Sequence, residues 1–310
     1  MISRKRKKRL FIFDIKTGKK IVVFAIFLFL MFFFFKIFSC IFKTDKWERD
    51  EKLSLLVEND DNFVNLIVFD PNLYEIHKVK IPKNTEIRVS GGYGYWKIGS
   101  LWELGKQENF SGSLLVRTIT MSMKLPVYSW AEVPASIFDR VSLKDLLKFL
   151  YLRYKTNLSL GDRLQIILFN FKVKGSGRSE VNLGETTFLE KVKLSDDSSG
   201  YQVTKVLPQE IVSIFSEPFL SENMVRVLIK DATGSESKSR EVGYIVEILG
   251  SKVTAIEKIN NFEGVCMLKA KSEKILRIFS KVFECEDKLV VNEISSDVEI
   301  VIGRNFAKFY

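Results

Sequence analysis

The stretch MVRVLIKDATGSESKSREVGYIVEILG, residues 224–250, decides the fold class. Met224 to Ile229 is an apolar, branched run of strand length, and Asp231 to Gly234 is a turn. Glu236 to Leu249 then carries the helical repeat, with Val242, Ile245, Val246 and Leu249 on one face and Gly250 as the stop. A strand feeding an amphipathic helix needs a sheet to receive the helix's apolar face. Downstream, Lys252 to Ile256 and Val265 to Leu268 read as strands, and Asp297 to Ile302 reads as a closing strand. Between them Lys271 to Phe283 reads as a helix with Ile275, Ile278, Phe279 and Val282 turned inward. The order is β-α-β-β-α-β, a small sheet covered by helices on one face.

Working toward the N-terminus, residues 60–222 form a second region of mixed type. Phe63 to Phe69 and Ile76 to Ile81 read as paired strands, ended by Asp70-Pro71-Asn72 and Pro82-Lys83-Asn84. Glycines from Gly91 to Gly105 make the segment around Trp96 and Trp102 turn-rich, at spacings that fit neither a dinucleotide fingerprint nor a P-loop. Helical patterns follow over Leu114 to Met123, Leu143 to Tyr154 and Asp162 to Phe171, then strands within 172–202 and a helix with linker over Pro208 to Glu222. The fold class is therefore α/β, of the α+β kind.

The formal charge of +10 suggests nucleic acid until it is located. Residues 1–43 hold eleven Lys and Arg against one acid, Asp14, and residues 44–310 balance at 37 basic and 37 acidic side chains. The charge belongs to the N-terminal segment, so the pI gives no argument for a nucleic-acid partner. That segment flanks an apolar run from Ile21 to Phe42, interrupted by Lys36 and Ser39. A helix of that length rises about 33 Å and matches a bilayer core of about 30 Å. The basic flank keeps the N-terminus cytoplasmic and places the remainder outside, at the plasma membrane. The expected division is a basic cytoplasmic segment 1–20, a transmembrane helix 21–42, a charged stalk 43–59, a domain 60–222 and a domain 223–310. A lipoprotein modified at Cys40 is the alternative form of attachment, since Ser39 precedes that cysteine.

Cys266 and Cys285 are the only cysteines beyond Cys40, and two readings stand: a bridge, or two buried thiols. A bridge closing a loop of about 20 residues contributes about 3 kcal/mol. His77 is the sole histidine, which excludes two-histidine metal sites, and its place in a strand fits a surface role. Trp96 and Trp102 are candidates to stack on sugar rings, or else core residues.

Two blocks resemble a known family. Val227-Leu-Ile-Lys-Asp-Ala-Thr-Gly234 opening a helix, with Asp297-Val-Glu-Ile-Val-Ile-Gly303 closing the block, is similar to the LytR C-terminal domain. Within 60–222, Asp70-Pro71, then Lys80-Ile-Pro-Lys-Asn-Thr85, then Lys97-Ile-Gly99 and Leu114 to Val133 resemble, in order, the motifs of the LytR-CpsA-Psr wall-polymer transferases. The resemblance implies transfer of a glycopolymer from a polyprenyl pyrophosphate carrier to peptidoglycan, with arginines on the pyrophosphate and acids on magnesium. Lys83 stands for the motif's arginine, Asn84 for its aspartate, and Asn62 for an acid before the first strand. Lysine and amides replace guanidinium and carboxylate poorly in such a site. Lys83, Arg88 and Arg163 remain as weak anion-binding candidates, with Asp60 and Asp61 as acids that compensate. The expectation is a non-catalytic, envelope-facing binding or scaffolding factor that meets peptidoglycan or a wall glycopolymer without a cofactor. A surviving transferase using magnesium is the alternative.

Overall fold

A computed structural model describes residues 24–36 and 46–310, apart from 49, 58–61, 139–141, 152–153, 205, 261 and 291–293. Two compact units, 1–43 and 44–310, make up the chain. In the first, helix α1 is described over residues 24–36, with its apolar side chains exposed. Among the described residues no helix is long and apolar enough to cross a membrane. The rest of the 21–42 segment, the basic residues 1–20 and Cys40 lie outside them.

The second unit is a mixed α/β body built on three sheets. The central sheet contains β1 (Leu53–Val57), β2 (Phe63–Asp70), β3 (Glu75–Pro82), β6 (Ser129–Ala131) and β7 (Arg178–Asn182), in the order β6-β1-β2-β3-β7. β2 pairs antiparallel with both β1 and β3, so the expected hairpin forms, with Phe69 opposite Ile76. A smaller sheet, β5-β4-β9-β8, joins β4 (Thr85–Arg88), β5 (Tyr95–Lys97), β8 (Leu189–Lys193) and β9 (Ser199–Val203).

Within 43–59, the stretch expected as a stalk, the described residues around Trp47 and Leu53–Val57 join the folded body. β1 lies inside the central sheet, fully buried between β2 and β6, and Trp47 packs against Phe69 and Phe169. The polar residues before the strand hid it, because Glu51 and Lys52 are themselves buried in ion pairs rather than solvated. The turn-rich segment likewise contains a helix, α2 (Leu101–Gln107), whose Gly105 packs against the Ser111 carbonyl where no side chain fits. Leu114 to Met123 is realised as α3 (Gly112–Thr118) and a π-helical turn over Ile119–Met123, which ends at Lys124 in the left-handed region with φ of 60°.

Helices α4 (Leu143–Tyr151) and α5 (Leu160–Lys172) share the hydrophobic core on one face of the central sheet, formed by Leu53, Leu55, Val57, Ile67 and Phe69. The smaller sheet, α2 and α3 share the core on the other face, formed by Leu56, Leu66, Val68 and Val79. The alternation along β1 and β2 divides the two cores, as the period of a strand requires.

After α6 (Gln209–Phe215) and α7 (Pro218–Glu222), the C-terminal block forms the third sheet, in the order β11-β10-β14-β12-β13. Its elements are β10 (Arg226–Asp231), α8 (Glu236–Ile248), β11 (Lys252–Lys258), β12 (Cys266–Ala270), α9 (Glu273–Phe283), β13 (Glu286–Leu289) and β14 (Val298–Ile302). The expected order is present, with β13 added as an exposed edge strand whose charged residues give no strand signature. Cys266 and Cys285 form a disulfide with Cα atoms 4.9 Å apart. The core of this block is continuous with that beneath α4 and α5.

A buried charge cluster fastens β1 to the C-terminal block. Glu51 takes Arg277 at 2.6 Å and Lys281 at 2.6 Å, both from α9. Next along the chain, Lys52 pairs with Asp70 at 2.9 Å and donates to the carbonyls of Ser213 and Ile214. The Lys52 amide donates to Glu217 at 3.1 Å, and the Tyr128 hydroxyl donates to the Lys52 carbonyl. Burial, with the Glu51 carboxylate beside it, pushes Glu217 up to about 8.

Candidate ligand-binding cleft

The smaller sheet, the π-helical turn and α8 leave between them a cleft of about 1440 Å³. Its apolar wall includes Ile87, Met121, Met123, Phe188, Val203 and Ile248. Four cations, Arg88, Lys124, Lys238 and Arg240, and three acids, Glu86, Glu241 and Glu247, also line it. The alternation of β4 explains Arg88: Ile87 turns into the core, so Arg88 is exposed beyond it. The arrest of the π-helical turn at Lys124 brings that amine back to the Met121 carbonyl and 3.9 Å from Glu241. On α8, Lys238 and Glu241 are one turn apart and pair at 3.2 Å.

Two lysines therefore share the single carboxylate of Glu241, while the Arg88 guanidinium makes no ion pair among the described residues. Glu86 is engaged by Ser195 at 2.6 Å and by Gln202 at 3.5 Å. Arg240 pairs at 3.3 Å with Glu236, which is exposed. Burial, with the charge of Lys238 nearby, brings Lys124 down to about 8, against the pull of Glu241. An apolar wall beside incompletely matched cations suits a ligand with a hydrocarbon part and an anionic part.

Of the sequence candidates, only Arg88 lines this cleft. Lys83 sits in the turn between β3 and β4, where its amide donates to the Asn62 carbonyl at 2.9 Å and its carbonyl accepts from Gly99 at 3.0 Å. Three motif segments, at Asn62, Lys83-Asn84 and Ile98-Gly99, are thus drawn together by main-chain bonds, and the Asn84 amide donates to Ser199. Arg163 lies on α5, in the helical layer on the other face of the central sheet, with its guanidinium 4.4 Å from the Tyr154 ring centre. Asp60 and Asp61 lie outside the described residues.

Trp102 is only 6% exposed and meets Trp130 edge to face, within the core shared by α2 and α3. Trp96 is exposed on β5 and donates to the Tyr93 carbonyl. His77 sits between Ser179, 2.7 Å from its Nδ1, and Glu75, 3.3 Å from its Nε2. The three share the partners of a hydrolytic triad, yet none lines the cleft, and the register pairs His77 with Ser179 as ordinary cross-strand neighbours. Lys124, Lys238 and Arg240 escaped the sequence reading because Lys124 lies more than a hundred residues before the other two, which share α8.

No family model and no curated protein matches the chain. Solved structures that resemble it include TagT of B. subtilis, 13% identical with a TM-score of 0.39, covering 56% of this chain and 92% of that one. Another is the LytR-CPS2A-psr family protein YwtF (TagT) with bound octaprenyl pyrophosphate lipid, 14% identical with a TM-score of 0.38, covering 56% and 92%. TagT bound to LIIa-WTA is similar at 12% identity and a TM-score of 0.38, again covering 56% and 92%. These neighbours are LytR-CpsA-Psr family proteins, the family that the motifs of residues 60–222 resemble. Identity at this level transfers no residue role to this chain.

Proposed function

We propose that the chain is a membrane-anchored, extracytoplasmic binding factor of the cell envelope that holds a lipid-linked anionic wall polymer without transferring it. The supporting observation is the cleft, whose apolar wall suits the lipid and whose cations Arg88, Lys124, Lys238 and Arg240 suit the phosphate. The motif positions occupied by Lys83, Asn84 and Asn62 speak against catalysis, since an amide cannot supply the charge of a carboxylate on a divalent ion. The N-terminal apolar segment supplies the anchor, with the basic residues cytoplasmic and residues 44–310 outside.

The test is equilibrium binding of octaprenyl pyrophosphate to the full chain in nanodiscs. Arg88→Gln and Arg240→Gln should each weaken binding about tenfold, the cost of one charge-assisted contact. Binding unaffected by either change overturns the cleft as the site. A transferase remains the second reading, favoured by the gathering of the Asn62, Lys83 and Gly99 segments. Polymer transferred to peptidoglycan in the presence of magnesium would replace the first reading with the second.

A further inference from the structure

Helix α5 has an outer face that a soluble domain does not normally present. Its inward side is formed by Ile166, Ile167 and Phe169. The outward side carries Leu160, Leu168 and Phe171, which are 39%, 54% and 46% exposed, while Leu164 between them is partly buried against the core. A surface helix ordinarily turns polar residues outward, and a group of large exposed apolar side chains marks a contact surface. Beside it, the turn between β2 and β3 holds exposed Leu73 and Tyr74, and the Tyr74 ring stacks on Phe169 of α5.

The charges around this face are mostly basic, with Glu75, next to Tyr74 and 3.3 Å from the His77 ring, as a partly exposed acid. Lys144, Lys148, Lys155, Lys172 and Lys174 are exposed on α4, α5 and the adjoining loops. The described acids of α4 and α5 are Asp145, paired with Lys148 at 3.2 Å, and Asp162, which is buried. Asp162 accepts from the Lys46 and Trp47 amides, each at 3.1 Å, so the first described residues of the body lie beside the first turn of α5. In the sequence, the apolar N-terminal run ends at Phe42, four residues before Lys46.

We infer that the outer face of α5, with Leu73 and Tyr74, docks on the anionic lipid surface into which the same chain is anchored. Leu168 and Phe171 enter the headgroup boundary and the surrounding lysines meet lipid phosphates, as an interfacial amphipathic helix does. Docking of this kind restricts how the body is oriented over the bilayer, beyond what a tether alone imposes. The inference rests on the membrane anchorage proposed above and is independent of the cleft.

The experiment uses the full chain with Cys40→Ser, reconstituted in vesicles of phosphatidylglycerol and phosphatidylcholine. A fluorophore is placed at Leu168→Cys, at Phe171→Cys, or at Ile256→Cys, an exposed position on β11 that does not line the cleft. Brominated lipid should remove about half the emission at 168 and 171, the depth of an interfacial helix, and leave 256 unchanged. Flotation of the same samples separates the two ideas. A chain that floats with labels 168 and 171 unquenched overturns the docking alone, and a chain that does not float overturns anchor and docking together. Labels shielded from water yet insensitive to brominated lipid would assign the face to a protein partner and overturn the lipid docking.

Discussion

The molecule has two clusters of mixed charge that differ in one respect. Around Glu51, Lys52, Asp70, Glu217 and Lys281 the charges are buried and nearly every one has a partner within hydrogen-bond reach. Around Arg88, Lys124, Lys238 and Arg240 they open onto a cleft, two lysines share one carboxylate, and Arg88 has no ion pair among the described residues. The same residue types thus serve as a clamp in one place and, in the proposed reading, as a receptor in the other. Burial with full pairing makes removal of one partner costly to the fold, whereas partial exposure leaves binding capacity for something else.

The largest expected effect is in the first cluster. Glu51→Ala leaves Lys281 buried without its carboxylate and should cost about 3–5 kcal/mol, read by denaturant unfolding of the full chain in detergent. A loss below about 1 kcal/mol, as for a surface pair, would erase the distinction between the clusters. Next, breaking the Cys266–Cys285 bridge, whose sequence separation is 19, should cost about 3 kcal/mol and leave cleft binding unchanged. Reduced and oxidised samples compared in one unfolding series check both statements.

Glu217 gives the first cluster a pH signature. Its folded pKa of about 8 lies above the ordinary glutamate value of 4.5, so between those limits the native state binds more protons than the unfolded chain. Stability should therefore fall as pH rises from 4.5 toward 8, by up to about 1.4 kcal/mol per pH unit, and Glu217→Gln should flatten that slope. The second cluster should respond in binding. Lys124 loses its proton through a pKa of about 8, so anion binding in the cleft should weaken, by about tenfold, as pH passes that value. Folding depresses this lysine, so its own titration contributes stability as pH rises between about 8 and 10.5, and an unfolding series over the same range separates weaker binding from loss of fold. A pH-independent affinity in wild type would remove Lys124 from the receptor.

What was legible in the sequence follows this division. The C-terminal strand and helix order could be read because Val242, Ile245, Val246 and Leu249 repeat at the helical period over a long element. β1 could not, because four apolar residues and Ser54 behind a charged segment look like the end of a stalk until Glu51 and Lys52 find partners in α9 and β2. Trp102 and Trp96 look alike as letters, and only packing separates the buried one from the exposed one.

By itself the sequence determined the local character of this protein: where charge and hydrocarbon concentrate, which stretches repeat at 3.6 or 2, and that an α+β body follows a basic, apolar segment. Those properties depend on neighbours within a few positions. The tertiary structure decided the cleft and the clamp, because each depends on side chains brought together from distant parts of the chain, and it decided that the outer face of α5 is left uncovered. Spacing along the chain does not encode such meetings; they arise when the cores on the two faces of the central sheet close and fix which charges are buried and which are left facing outward.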